Sequence, residues 1–202
     1  MGRSQTLNPL LQDAFVLPKD AFQVTLGYSS LGLSRQGEST GLYNSMDLQV
    51  SLGIAPRTTL VTRYERVWPA KHFFEELAIN FLFVGPKFQL KKDRLSLYVP
   101  VGLEFAKGLD GYFEVAPTLI GTIPLSRRVF LNPGLELGFM FCEYCEDAPF
   151  LGLNLGLSVR PNKILSFFAD YDLVYPTADF GNGHLYMING GVGFLFNAKD
   201  TE

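Results

Sequence analysis

The sequence predicts an all-β chain, a ten-stranded antiparallel transmembrane β-barrel with short periplasmic turns at one rim and longer outer loops at the other. Three observations predict it. Along residues 151–173, Leu151, Leu153, Leu155, Leu157 and Val159 oppose Gly152, Asn154, Gly156, Ser158 and Arg160; after a turn at 160–163, Leu165, Phe167, Ala169, Tyr171 and Leu173 oppose Ser166, Asp170 and Asp172. One face is oily and the other polar, as a strand between hydrocarbon and a barrel interior requires. Phe168 is the exception on the polar face. Second, eight of the 17 Lys and Arg residues sit in four short turns (Arg57; Lys91, Lys92, Arg94; Arg127, Arg128; Arg160, Lys163), whereas a water-facing sheet carries lysines mid-strand. Third, Tyr64, Trp68, Phe73, Phe74, Tyr112, Phe113, Phe139, Phe141, Tyr171, Tyr175 and Tyr186 gather at the opposite strand ends, the pattern of an interfacial girdle.

Composition closes off other classes. The 202 residues suit one domain. An apolar fraction of 47% is too low for a bundle of membrane helices, and the longest largely apolar run, residues 77–84, falls far short of the roughly 20 residues such a helix needs. A net charge of -3 argues against nucleic-acid binding.

Residues 1–20 carry two prolines and no alternation, and are expected to be an N-terminal tail or a short plug segment at the barrel mouth; residues 21–197 form the barrel and 198–202 a C-terminal tail. Strand one sets Phe22, Val24, Leu26 and Tyr28 against Gln23, Thr25, Gly27 and Ser29, and the polar stretch 35–41 ends it. Strand two sets Met46, Leu48, Val50, Leu52 and Ile54 against Asp47, Gln49, Ser51 and Gly53. After the turn 55–58, strand three opposes Leu60, Thr62 and Tyr64 to Val61, Arg63 and Glu65, and residues 68–76 read as an aromatic-rich loop. Strand four is expected to point Leu77, Ile79, Phe81 and Phe83 outward and Ala78 and Asn80 inward, before the turn 91–94.

Strand five alternates Leu95, Leu97, Val99, Val101, Leu103 and Phe105 with Ser96, Tyr98, Pro100, Gly102 and Glu104; strand six sets Phe113, Val115, Leu119 and Ile123 against Glu114, Ala116 and Thr118. Strand seven sets Val129, Leu131, Leu135, Leu137, Phe139 and Phe141 against Asn132, Gly134, Glu136 and Gly138, and a loop at 142–148 leads to the hairpin 151–173. Strand ten sets Tyr186, Ile188, Val192, Phe194 and Phe196 against Asn189, Gly191 and Gly193. An even strand number returns both termini to one side. Pro100, Pro117 and Pro133 fall inside these strands, where a missing N–H interrupts the ladder, so a bulge is expected at each.

The whole chain resembles the small Gram-negative outer-membrane β-barrels, and its last strand, Tyr186 to Phe196, is similar to their aromatic-ended assembly signal. Residues 197–202 after that phenylalanine depart from the pattern. The stretch Leu17-Pro-Lys-Asp-Ala-Phe-Gln-Val-Thr-Leu-Gly-Tyr28 is similar to the opening of the meta-pathway phenol-degradation-like barrels. That resemblance implies transport. Met1-Gly-Arg-Ser4 lacks the apolar core of a secretory leader, so a barrel bound for the bacterial outer membrane is expected to have had its leader replaced by a cloning remnant; a native cytoplasmic start is the competing reading.

Inward positions collect Asp47, Glu65, Glu104, Glu114, Glu136, Asp170 and Asp172 against Arg63 and Arg160. If water fills the interior, these residues favour cations, and the chain reads as a narrow channel or transporter for small solutes or cations. Ten strands lie close to the roughly eight whose side chains fill a barrel, so a structural or partner-binding barrel with a plugged interior is the alternative, its partners reached through outer loops or periplasmic turns. An outer-membrane hydrolase is a third reading: His184, which with His72 completes the histidines, would meet Asp170 or Asp172. No serine or metal-ligand cluster stands at a telling spacing, so the sequence points to no catalytic residue, metal or cofactor. Cys142 and Cys145 form a C-x-x-C away from any βαβ pattern and are candidates for a local disulfide.

Overall fold

The computed structural model describes residues 12–35, 38–70, 79–105, 113–141, 149–176 and 183–197. Among them run β1 (Phe22–Arg35), β2 (Glu38–Ala55), β3 (Thr58–Pro69), β4 (Ile79–Lys91), β5 (Leu95–Tyr98), β6 (Val101–Phe105), β7 (Phe113–Val115), β8 (Thr118–Gly121), β9 (Ile123–Pro124), β10 (Val129–Phe141), β11 (Phe150–Val159), β12 (Leu165–Pro176) and β13 (His184–Phe196). β5 and β6 are two pieces of one stave, and β7, β8 and β9 three pieces of another. Ten antiparallel staves result, and the pairing of β13 with β1 closes them into a barrel. Cys142, Cys145, His72, Phe73, Phe74 and Tyr112 lie outside the described residues.

The outer surface is apolar over most of its height. Met46, Leu48, Val50, Leu52 and Ile54 on β2, and Leu153, Leu155 and Leu157 on β11, are all exposed. A belt of this extent is far larger than water tolerates, and hydrocarbon is the solvent that satisfies it. A thirteen-residue strand such as β10 extends about 43 Å. At the usual barrel tilt that is ample for an apolar band of about 25 Å. Rings pair near the long-loop rim: Tyr28 with Trp68 and Tyr64 with Phe105, each at 6.4 Å across one intervening stave, and Phe113 with Phe141 on adjacent staves at 5.8 Å between centroids.

Three expectations need correction. β4 has the opposite phase: Ile79, Phe81 and Phe83 are buried inside, while Asn80 faces out and accepts a 2.7 Å hydrogen bond from the Tyr64 hydroxyl. Both faces of this strand are apolar, since Leu82, Val84, Phe88 and Leu90 occupy the alternate positions, and the one polar residue of its first half, Asn80, faces outward and misleads period-two reading. Second, the strands run longer at the outer rim. β3 takes in Trp68 and Pro69, and β1 and β2 consume most of the polar stretch between them.

Third, the prolines produce ladder gaps rather than bulges. Tyr98 faces Thr118 and Val101 faces Val115, three steps on each side of Pro100 and of Pro117, so the register carries through unchanged. Likewise Leu131 faces Ile123 and Gly134 faces Ile120, three steps across Pro133. A missing N–H is tolerated where the neighbouring stave is itself interrupted. The register shifts fall instead at Leu31/Gly32, Gly53/Ala55 and Gln89/Lys91.

Residues 12–21 enter the barrel at the short-turn end. Ala14 and Ala21 are fully buried, and Ala14 packs with Val61, Tyr98 and Ile120. The segment has no ladder of its own, so its backbone donors bond to wall hydroxyls: Ala14 N–H to Thr122 Oγ1 and Leu17 N–H to Thr59 Oγ1, both at 2.8 Å. Gly53 lets it approach. A Cβ there would overlap the carbonyl of Pro18.

Candidate functional site

The interior has three levels. At the short-turn mouth lies the N-terminal segment, held by charge. Arg160 pairs with Asp13 and stacks over Phe15 at 4.0 Å, while Lys87, itself buried, donates from Nζ to the Asp13 carbonyl at 3.2 Å. Gln12 donates to Gln49 at 3.2 Å.

At the middle level the alternation of five staves brings carboxylates together. Asp47 on β2 stands directly across from Glu65 on β3. The guanidinium of Arg63 lies 3.4 Å from Glu65 and 4.4 Å over the Phe83 ring. Asp47 lies within electrostatic reach of both Arg63 and Glu65, yet neither of its buried oxygens has a hydrogen-bond partner. On the far wall Glu136 accepts from Thr118 at 3.1 Å and feels the charges of Glu114, Asp172 and Arg63. Asp172 accepts from the side-chain amides of Asn154 and Asn189. Asp170 lies against Gly156 with both oxygens unpartnered.

At the outer level the interior is oily. Val67, Ile79, Phe81 and Phe83 form one cluster with Tyr43, and Phe150, Val174 and Met187 form another with Leu31, Met140 and Leu185. Glycines make room for the rings: a Cβ on Gly138 would overlap Phe150, and one on Gly102 would overlap Phe83.

Of the residues expected inside, Asp47, Arg63, Glu65, Glu114, Glu136, Asp170 and Asp172 are buried at the middle level. Glu104 sits apart, half-buried at the long-loop end of β6 opposite Phe81. Arg160 belongs to the mouth. His184 does not meet the acids: its ring packs on Tyr175 at 5.4 Å, and its stave neighbour Met187, three residues on, is the one that faces Asp172. That offset is about 10 Å along the strand.

Sequence reading missed Asp13, Lys87 and Asn189 as site residues. Lys87 had a signal, because it shares parity with Phe81 and Phe83; correct phasing of β4 would have placed it inside. Asp13 had none, since it lies on a segment without periodicity.

Six buried carboxylates share the middle of the interior with Arg63, and four of them, Asp47, Glu65, Glu136 and Asp172, lie within reach of its charge. Charge in so confined a space needs water or cations beside it.

No protein-family model matches the chain, and no curated protein matches its sequence. Solved structures do. An outer-membrane channel from Pseudomonas putida F1 is 12% identical, with 95% of this chain and 100% of that one covered and a TM-score of 0.56. The translocator domain of the autotransporter NalP from Neisseria meningitidis is 12% identical over 88% of this chain and 90% of that one, with a TM-score of 0.53. The fold is that of the small outer-membrane β-barrels. Its apolar outer belt is that of a chain embedded in lipid.

Proposed function

We propose that the chain is a narrow outer-membrane conduit for small cationic or polar solutes, seen in a closed state. The observation that carries this reading is the middle chamber, where Asp47, Glu65, Glu114, Glu136, Asp170 and Asp172 are buried together with Arg63. A barrel that needed only to be filled would gain more from apolar packing, because buried charge is costly and seldom stabilises. Rings of carboxylates inside a membrane pore are what selects cations. Closure comes from the N-terminal segment at one end and the two apolar clusters at the other. A barrel of the same fold is named an outer-membrane channel, which supports the reading.

Planar-bilayer recording tests it. The full chain is expected to give intermittent current whose reversal potential in a salt gradient shows cation preference, and Asp47→Asn with Glu136→Gln is expected to reduce that preference. Anion preference, or no change on neutralising both acids, would refute the role of the chamber.

The filled interior favours a second reading, a structural or partner-binding barrel. Phe81, Phe83 and Phe150 are each buried to 1% exposure, which is packing of the kind found in a solid core. Silence in the bilayer across all voltages would decide for it.

A further inference from the structure

We propose that Asp170 and Asn189 form a binding site for an organic cation that carries N–H donors, an alkylammonium or guanidinium group. The proposal deepens the conduit reading by naming a solute class, and it rests on that reading for how the cation arrives. Asp170 on β12 and Asn189 on β13 are direct cross-strand partners. Their Cβ atoms are therefore about 5 Å apart on the interior face. Both residues are buried, at 4% and 3% exposure, and three of their acceptor atoms, Oδ1 and Oδ2 of Asp170 and Oδ1 of Asn189, have no hydrogen-bond partner.

The orientation of Asn189 is set from the other side. Its Nδ2 donates to Asp172 Oδ2 at 2.5 Å, and reversing the amide would press oxygen on carboxylate. Asp172 is itself occupied by the amides of Asn189 and Asn154, so it contributes field rather than a free acceptor. Asp13, on the N-terminal segment, also lies within electrostatic reach of Asp170, but its own charge is met by Arg160. The nearby cationic side chains are engaged elsewhere: Lys87 and Arg160 on Asp13, and Arg63 on Glu65. Three acceptors on adjacent staves thus stand without a donor, and a ligand that brings only donors completes them.

A hard metal ion fits less well. Calcium takes six to eight oxygens. The described residues contain no group of three or more His, Cys, Asp or Glu side chains placed to hold a metal. An ammonium, with three N–H bonds, needs no more than the acceptors present.

The test is isothermal titration calorimetry of the full chain in detergent micelles, with putrescine as probe, glycerol as neutral control, and magnesium and potassium chlorides as inorganic competitors. Saturable putrescine binding is expected, weakened at least about tenfold by Asp170→Asn. Gly156→Ala, which presses a methyl group onto the Asp170 carboxylate, is expected to weaken it as well, and Glu38→Gln on the exposed outer hairpin to leave it unchanged. Circular dichroism reports whether each variant is folded. Absence of saturable binding in the wild type overturns the proposal. So does undiminished binding in folded Asp170→Asn, or binding of magnesium or potassium as tight as that of putrescine. Cation-selective current without putrescine binding would overturn this site alone, and putrescine binding without current would overturn the conduit reading alone.

Discussion

Replacing Gly53 by alanine tests the seating of the N-terminal segment without touching a charge. The added Cβ would overlap the Pro18 carbonyl oxygen, lie 2.7 Å from its carbon and lie 2.9 Å from the Leu17 carbonyl oxygen. All three atoms are backbone, so no rotamer relieves the overlap and the segment must shift. Two hydrogen bonds hold it there, Asp20 N–H to the Gly53 carbonyl at 2.9 Å and Gly53 N–H to the Ala21 carbonyl at 2.8 Å. Losing both costs about 2 kcal/mol, and residual crowding raises the total to roughly 3 kcal/mol. At about 1.4 kcal/mol per tenfold, the undocked fraction rises roughly 30- to 150-fold.

Hydrogen exchange reads this directly. The Ala14 and Leu17 amides, bonded to Thr122 and Thr59, are expected to exchange faster by that factor in Gly53→Ala. Amides of β11 and β12, on another part of the wall, are expected not to change. Gly41→Ala is the control, since its Cβ would meet only the Ala70 side chain, at 4.0 Å. Exchange in Gly53→Ala within threefold of wild type would refute the packing argument, because the overlap would then have been absorbed by the wall.

Three further outcomes follow from the same geometry. Leu155→Arg places a charge on the lipid face at the centre of β11 and is expected to destabilise the barrel by about 2–4 kcal/mol in urea titrations in vesicles; a loss below about 0.5 kcal/mol would mean that this face does not meet hydrocarbon. Gly138→Ala drives a methyl group into the Phe150 ring and is expected to cost about 1–3 kcal/mol in the same titration, an effect that Gly138→Ala with Phe150→Leu should largely remove. Trp68 is the one tryptophan in the chain and lies tilted against Tyr28 at the outer girdle, so brominated lipids should quench its fluorescence most strongly when the bromines lie near the headgroups. Strongest quenching from the acyl-chain ends would displace the girdle.

Alternation by itself determined the number of staves, the side of each that meets lipid for nine of the ten, and the inward parity of the carboxylates from Asp47 to Asp172. It could do so because a side-chain period of two is a local property: once Leu153 faces hydrocarbon, Asn154 must face the interior. The same rule failed on β4, where both parities are oily and only packing against Arg63, Val67 and Gly102 selects the buried row. Tertiary structure also decided what the carboxylates meet. Asp13, Lys87 and Arg160 are 73 residues apart at the closest remove along the chain, and closure of the sheet brings them to one mouth. Proline tolerance was decided there too, since a strand's missing donor matters only if its neighbour offers an acceptor at that height, and pairing across staves is not written in either strand alone.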